Sequence, residues 1–269
     1  EDGENPKSKR LKMGILENMS AAIRSGDIKV VDLTHTLDPD FPVLVLPAEF
    51  GQCQPFRIEE VSRYDERGPA WYWRNFSCNE HTGTHFDAPV HWVTGKDIPN
   101  GSVDSIAPAN FLRPASVLDF SKEAAEDDDF ILTADHIRAW ENENGEISKG
   151  DWVLFRTDWS KRAGKAYANV CEDGAHTPGP NTEAVRFLVE ERDVHGFGVE
   201  TIGTDAGKGG AFDPPYPAHN ILHGAGKYGL QCLRNLDQLP AHGAVIVSTP
   251  LKIKDGSGSP LRVLALVEN

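Results

Sequence analysis

Apolar residues recur at Leu11, Ile15, Met19 and Ile23, with Leu16 and Ala22 beside them and Gly26 just after. A repeat of four lays one stripe along an amphipathic helix, and glycine is the residue that most readily ends a helix in the left-handed conformation. A stripe of this kind ahead of the first strand needs a covering surface, and a second subunit is one candidate. The run Ile28 to Leu33 predicts the first strand, and the turn residues Asp38-Pro39-Asp40 follow it. Residues 39–70 carry scattered prolines and charges, which predict an irregular surface excursion near a site. Further strand signals fall at Ala115 to Phe120, Trp152 to Thr157, Val199 to Gly203, Ala244 to Thr249 and Arg262 to Val267. Between them, Thr133 is placed to cap a helix toward Asn144, and Asn181 to cap one through Glu191. Interleaved strands and helices, with no internal repeat or low-complexity linker, predict the α/β class in one domain with a mixed sheet.

The stretch His81-Thr-Gly-Thr-His85-Phe-Asp87-Ala-Pro-Val-His91 breaks from this background. Its three histidines and one aspartate share one parity, so an extended backbone would project all four to one side. Gly83, between the first two histidines, leaves an open space on that side. A helix does not suit the run, because Gly83 and Pro89 interrupt it. Two imidazoles and a carboxylate form a ligand set for zinc, manganese or iron(II), and three protein ligands leave positions open for water and substrate. An ion so held lowers the pKa of its water toward about 7. His91 stands further along the strand; it is either another ligand or an acid/base, and its distance favours proton transfer.

Composition narrows the partners. The formal charge is −14 at pH 7, and no basic patch is present to neutralise phosphates, which excludes nucleic acid and anionic membranes as natural partners. Cys53, Cys78, Cys171 and Cys232 form no CxxC pair, which favours a reducing, cytoplasmic compartment. The charged segment Glu1 to Arg10 lacks the apolar centre of a signal peptide and reads as a flexible lead-in to a domain spanning 11–269.

A second polar cluster comprises Gly203-Thr204-Asp205-Ala206-Gly207 and Ala218-His219-Asn220-Ile221-Leu222-His223. Asp205 follows an apolar strand, a usual position for a site residue in α/β folds. His219 and His223, four apart, would share a helical face, with one of them expected to be structural. Trp71, Tyr72, Trp73 and Phe76 before the histidine motif, and Trp92 after it, offer flat apolar surface for a substrate or for the core.

The eleven-residue motif resembles the HxGTHxDxPxH signature of the metal-dependent cyclase-like hydrolases, a family that includes bacterial kynurenine formamidases and isatin hydrolases. The similarity extends to Leu132-Thr-Ala-Asp135, Arg156-Thr-Asp158-Trp159, Thr204-Asp205-Ala-Gly, Pro217-Ala-His219-Asn, Pro250-Leu-Lys-Ile and Ser259-Pro-Leu-Arg-Val-Leu-Ala. It runs from about residue 28 onward and is closest to the isatin hydrolases. It implies a compact α/β domain of the swivelling β/β/α type, assembled as dimers or tetramers. It further implies metal ligation by His81, His85 and Asp87, and proton transfer by His91. In the formamidases a later histidine and a glutamate twelve residues on help hold a second metal. His219 matches that histidine, but Gln231 stands in place of the glutamate. A neutral amide weakens a second divalent site, so the resemblance implies one metal, commonly manganese, with zinc as the alternative. His219 is then free to contact substrate or relay a proton. Cys232 replaces a serine that lies near the site in isatin hydrolases.

The implied reaction is hydrolysis of isatin to isatinate, with Trp73, Trp92, Asp205 and Cys232 as substrate contacts. Alternatives within the chemistry are an N-formyl amide, another cyclic amide or imide, or a lactone. A non-haem iron(II) oxygenase also fits a two-histidine, one-carboxylate set, but the extra histidine and the α/β pattern oppose it. Metal binding without turnover leaves His91 without a purpose.

Overall fold

The structure, a computed structural model, describes residues 14–269. The helix expected from the first apolar stripe spans Ile15–Ser25 and ends at Gly26, whose φ of 83° is left-handed. Leu11 and the 1–10 lead-in lie outside the described residues. None of the helix's residues is buried, and Ile15 is 87% exposed, so among the described residues nothing fully covers the stripe.

The body is one nine-stranded mixed sheet. Its order is Ile28–Asp32, Leu264–Glu268, His242–Val247, Leu112–Asp119, Trp152–Arg156, Gly196–Val199, Tyr228–Gln231, His85–Asp87 and Gly258–Pro260. The four strands from Leu112 to Gln231 in that order run parallel, and antiparallel strands flank them. Trp152 and Leu154 face one apolar cluster while Val153 and Phe155 face the other. Burial on both faces is why this strand is apolar throughout rather than alternating. The helix Ala134–Asn144 and the helical stretch 182–191 cover one face, with Ile137, Trp140, Val185 and Leu188 in its cluster. The cluster on the other face joins Val31 and Phe86, from opposite ends of the sheet, to Trp152 at its middle. The sheet therefore curls over its own core, and an isolated bridge between Thr34 and Leu233 helps close the curl. No helix among the described residues is long and apolar enough to cross a membrane.

Both caps stand as read. Thr133 accepts from His136 N, and Asn181 accepts from Ala184 N. Two expectations need correction. The region 39–70 is irregular only up to residue 56; Arg57–Asp65 and Gly68–Ser77 then form an antiparallel hairpin. Most of its side chains are exposed, so no buried face imposed an alternating pattern. The strand expected at Val199 to Gly203 is Gly196–Val199, and bends follow it. Its glycines argue against a strand by propensity, yet packing requires them. A Cβ at Gly196 would lie 2.3 Å from the Trp152 ring and 2.5 Å from the Tyr228 carbonyl oxygen. Gly196→Ala is therefore expected to destabilise the fold by about 1–3 kcal/mol, read as a lowered urea midpoint; an unchanged midpoint would refute this packing account.

Candidate metal centre

The motif does not run as one strand. Only His85–Asp87 is extended, paired with Gly229–Gln231 on one side and Gly258–Pro260 on the other. Residues before it turn at Gly83, whose φ is 64°, and Pro89–His91 forms a short 3-10 helix. Equal parity therefore explains His85 and Asp87, while His81 and His91 are folded back by the turns on either side. Gly83 serves for its backbone conformation rather than for open space, since a Cβ there would meet Leu37 at 2.9 Å. Glycines opposite Asp87 make the real room. A Cβ at Gly258 would stand 2.6 Å from the His81 ring, and one at Gly229 would stand 3.0 Å from the Asp87 carboxylate.

The outer hydrogen bonds determine which ring nitrogen points inward. Ser257 Oγ donates to Glu80 Oε2 at 2.7 Å, so it accepts from His81 Nε2 at 2.8 Å. That leaves His81 Nδ1 as a bare lone pair, 2.8 Å from Asp87 Oδ1. His85 Nδ1 donates to the Gly83 carbonyl at 2.7 Å, which leaves Nε2 as a lone pair 3.3 Å from the same oxygen. Three acceptors thus converge on one point, an arrangement that repels unless a cation or proton lies between them. Imidazoles anchored from behind and a carboxylate fit a divalent ion. The other oxygen of Asp87 accepts from the Gln231 side-chain amide. Burial alone would push the Asp87 carboxyl up, but wherever the facing imidazoles of His85, His91 and His81 carry a proton, their charge and hydrogen bonds bring it well below the usual carboxylate range.

His91 stacks on His81, with ring centroids 3.8 Å apart and planes at 29°. Lone pairs lie in the ring planes, so near-parallel rings direct them alongside one another rather than to a common point. Donor atoms of His81, Asp87 and His91 nevertheless lie within 4.8 Å of one another, as do those of Asp87, His219 and His223. Burial brings His91 down to about 3, so its ring is neutral at physiological pH.

His219 stands on the wide turn Ala218–Leu222, a π-helical segment of a kind that recurs at functional sites. Its Nδ1 lies 2.5 Å from Asp205 Oδ2, and its Nε2 lies 3.9 Å from Asp87 Oδ2. Burial opposes its protonation, but the Asp205 carboxylate outweighs this and raises its pKa. The oxygens of Asp205 accept from Ala218 N and from the backbone and ring of His219, so this carboxylate faces His219 rather than open space. Trp92 lies 4.8 Å from the His219 ring and 6.3 Å from that of His91.

The remaining residues named from sequence sit elsewhere. Trp73 is 57% exposed on the hairpin, with Trp71 as its ring neighbour, and among the described residues no ring contact joins it to the histidines. The Cys232 side chain packs with Trp159 and Tyr167, and burial pushes its thiol up to about 12. It meets the motif through its carbonyl, which accepts from Thr84 Oγ1 at 2.6 Å, and through the charge of Asp87, which also raises the thiol. His223, which the sequence placed on one helical face with His219, donates from Nδ1 to the Lys227 carbonyl at 3.1 Å, and its ring lies 5.6 Å from that of His219. Sequence reasoning missed Glu80 and Ser257, which no local pattern marks.

The Cyclase family model matches residues 31–206. A curated isatin hydrolase of Roseibium aggregatum is 49% identical over 255 residues, covering 94% of this chain and 97% of that protein. Among solved structures, isatin hydrolase A from Labrenzia aggregata, bound to benzyl benzoate, is 63% identical with a TM-score of 0.94, covering 95% of this chain and all of the other. An isatin hydrolase bound to the product analogue thioisatinate is 47% identical with a TM-score of 0.93, covering 96% of this chain and all of the other. A family model over more than half of the sequence, and a relative of this identity over nearly all of it, agree with the converging lone pairs of the motif: the chain belongs to the cyclase family of metal-dependent hydrolases.

Proposed function

We propose that residues 11–269 form one hydrolase unit that opens the cyclic amide of isatin to isatinate, with one divalent ion, manganese, held by His81, His85 and Asp87. The convergence of three lone pairs on one point carries the metal reading. Isatin comes from the relatives, among them the isatin hydrolase that holds thioisatinate. When bound, the ion polarises the substrate carbonyl and lowers the pKa of a coordinated water. Neutral His91 accepts the proton of the attacking water on its ring nitrogen and delivers it to the departing lactam nitrogen. The carbonyl carbon gains the water oxygen and becomes a carboxylic acid, which releases its proton to solvent as the carboxylate, while the C–N electron pair stays on nitrogen, which becomes the free amine. Asp205 fixes the ring of His219 so that its Nε2–H is directed at the substrate oxygen. Trp92 lies beside both histidines and supplies a flat apolar wall for the bicycle.

A panel of isatin, N-formylkynurenine, cyclic imides and lactones tests the substrate. Isatin is expected to give the highest kcat/KM, with activity lost on chelation and restored by Mn²⁺ more fully than by Zn²⁺. No isatin turnover by manganese-loaded protein overturns the assignment. Gln231 supports the one-metal reading, because its amide donates to the Asp87 oxygen that faces His219. Gln231→Glu places a second carboxylate against Asp87, and the repulsion is relieved by another cation. Dialysed Gln231→Glu protein is expected to hold two manganese ions per chain against one in the parent; a single equivalent would refute this.

The four cysteines are free, which fits the cytoplasm. The uncovered stripe of Ile15, Leu16 and Ile23 and the exposed hairpin residues Trp73 and Phe76 support a homo-oligomer, with a second copy as the covering surface.

A further inference from the structure

A separate cluster lies at the surface, on the small hairpin of Val170–Cys171 and Gly174–Ala175. Cys171 pairs with Gly174, so His176, two places on, is its diagonal neighbour on the same face. Asp173 occupies the two-residue turn between the strands. Ligand atoms of Cys171, Asp173 and His176 lie within 4.8 Å of one another, and His176 Nε2 is 3.0 Å from Asp173 Oδ1.

A second observation comes from outside this group. Asp129, 47 residues earlier, holds His176 Nδ1 at 2.8 Å from behind. Lys208 donates to the same Asp129 oxygen at 2.6 Å, so that carboxylate is neutralised and acts as an anchor rather than as a ligand. A carboxylate behind an imidazole, with the opposite nitrogen turned toward a thiol and a carboxylate, is the outer-shell arrangement of metal-binding histidines. The base of the hairpin is also pinned: His176 N donates to the Asn169 carbonyl at 3.0 Å, and Asn169 Nδ2 donates to the His176 carbonyl at 2.7 Å.

We propose that Cys171, Asp173 and His176 bind a second divalent ion, of the zinc type, with water as the fourth ligand. A thiolate, an imidazole and a carboxylate favour Zn²⁺ or Co²⁺ over manganese, whereas the central site has no sulfur. Bond lengths of roughly 2.0–2.3 Å require the donors to draw closer, and rotation of the exposed Cys171 thiol supplies that movement. The hairpin packs on the loop that follows Asp205. Gly207 N donates to the Thr177 carbonyl at 2.9 Å, and a Cβ on Gly207 would lie 2.2 Å from the Ala175 carbonyl oxygen. An ion at the hairpin thus fastens the segment that braces the carboxylate behind His219. The site does not depend on isatin being the substrate.

Cobalt distinguishes the two centres, because only sulfur ligation produces a thiolate-to-cobalt charge-transfer band in the near ultraviolet. Titrating Co²⁺ into the full manganese-loaded chain is expected to raise this band to saturation at one cobalt per chain, and added Zn²⁺ to bleach it. The band is expected to vanish in Cys171→Ser and in His176→Ala. Zn²⁺ is also expected to slow alkylation of Cys171 by iodoacetamide in the unmutated protein, followed by peptide mapping. Absence of the band in the unmutated protein, its survival in Cys171→Ser, or an alkylation rate indifferent to Zn²⁺ overturns the proposal.

Discussion

Replacing Asp87 by alanine is expected to strip manganese from the protein and to lower kcat/KM for isatin on the order of 10³-fold or more. The carboxylate is fully buried, and one of its oxygens meets the inward nitrogens of both His81 and His85. It brings the only negative charge of that ligand set. Each factor of ten in rate corresponds to about 1.4 kcal/mol, and a Lewis-acidic ion contributes several kcal/mol to charge stabilisation in the transition state. Loss of the ion therefore accounts for at least that decrease. Metal analysis and steady-state kinetics on the same preparation check it. Alanine protein that retains a full manganese equivalent would place the ligand elsewhere.

His91→Ala is expected to lower kcat by about 10²–10⁴, the range for a positioned acid/base, while manganese content stays at one per chain. The separation of the two effects is the informative part. Donor atoms of His81, Asp87 and His91 are close enough to suggest a ligand triple, whereas the stacking of His91 on His81 directs the lone pairs apart. Added imidazole is expected to restore part of the lost rate by occupying the vacated space. Manganese lost together with activity would make His91 a ligand and leave proton transfer to His219.

The candidate metal site stood out in the sequence because residue type and spacing mark it: two imidazoles and a carboxylate within seven positions are rarely accidental. Its geometry was not. Parity assumed one extended backbone, but the turn at Gly83 and the 3-10 helix at Pro89–His91 bring His81 and His91 into place. The parts that orient the inward ring nitrogens come from far along the chain. Ser257 is 176 residues beyond His81, and no local pattern marks it. In the fold, the Trp152–Arg156 strand was readable because burial on both faces made it uniformly apolar. Gly196–Val199 was misplaced because its glycines answer to Trp152 and Leu154 rather than to any propensity of their own. The 57–77 hairpin was missed because it packs too little against its own chain for a pattern to form.

The single carboxylate of the Asp87 centre has an electrostatic consequence. With the proposed ligand set, one anionic and two neutral ligands would leave a bound dication with a net charge of about +1. The amide of Gln231 adds nothing to that total, and the proton shared between Asp205 and His219 balances the second carboxylate. Isatin arrives uncharged and gains little from this imbalance, whereas isatinate carries the one negative charge that cancels it. On that charge balance the product is expected to bind more tightly than the substrate, and turnover is expected to rise as added salt draws the anion away.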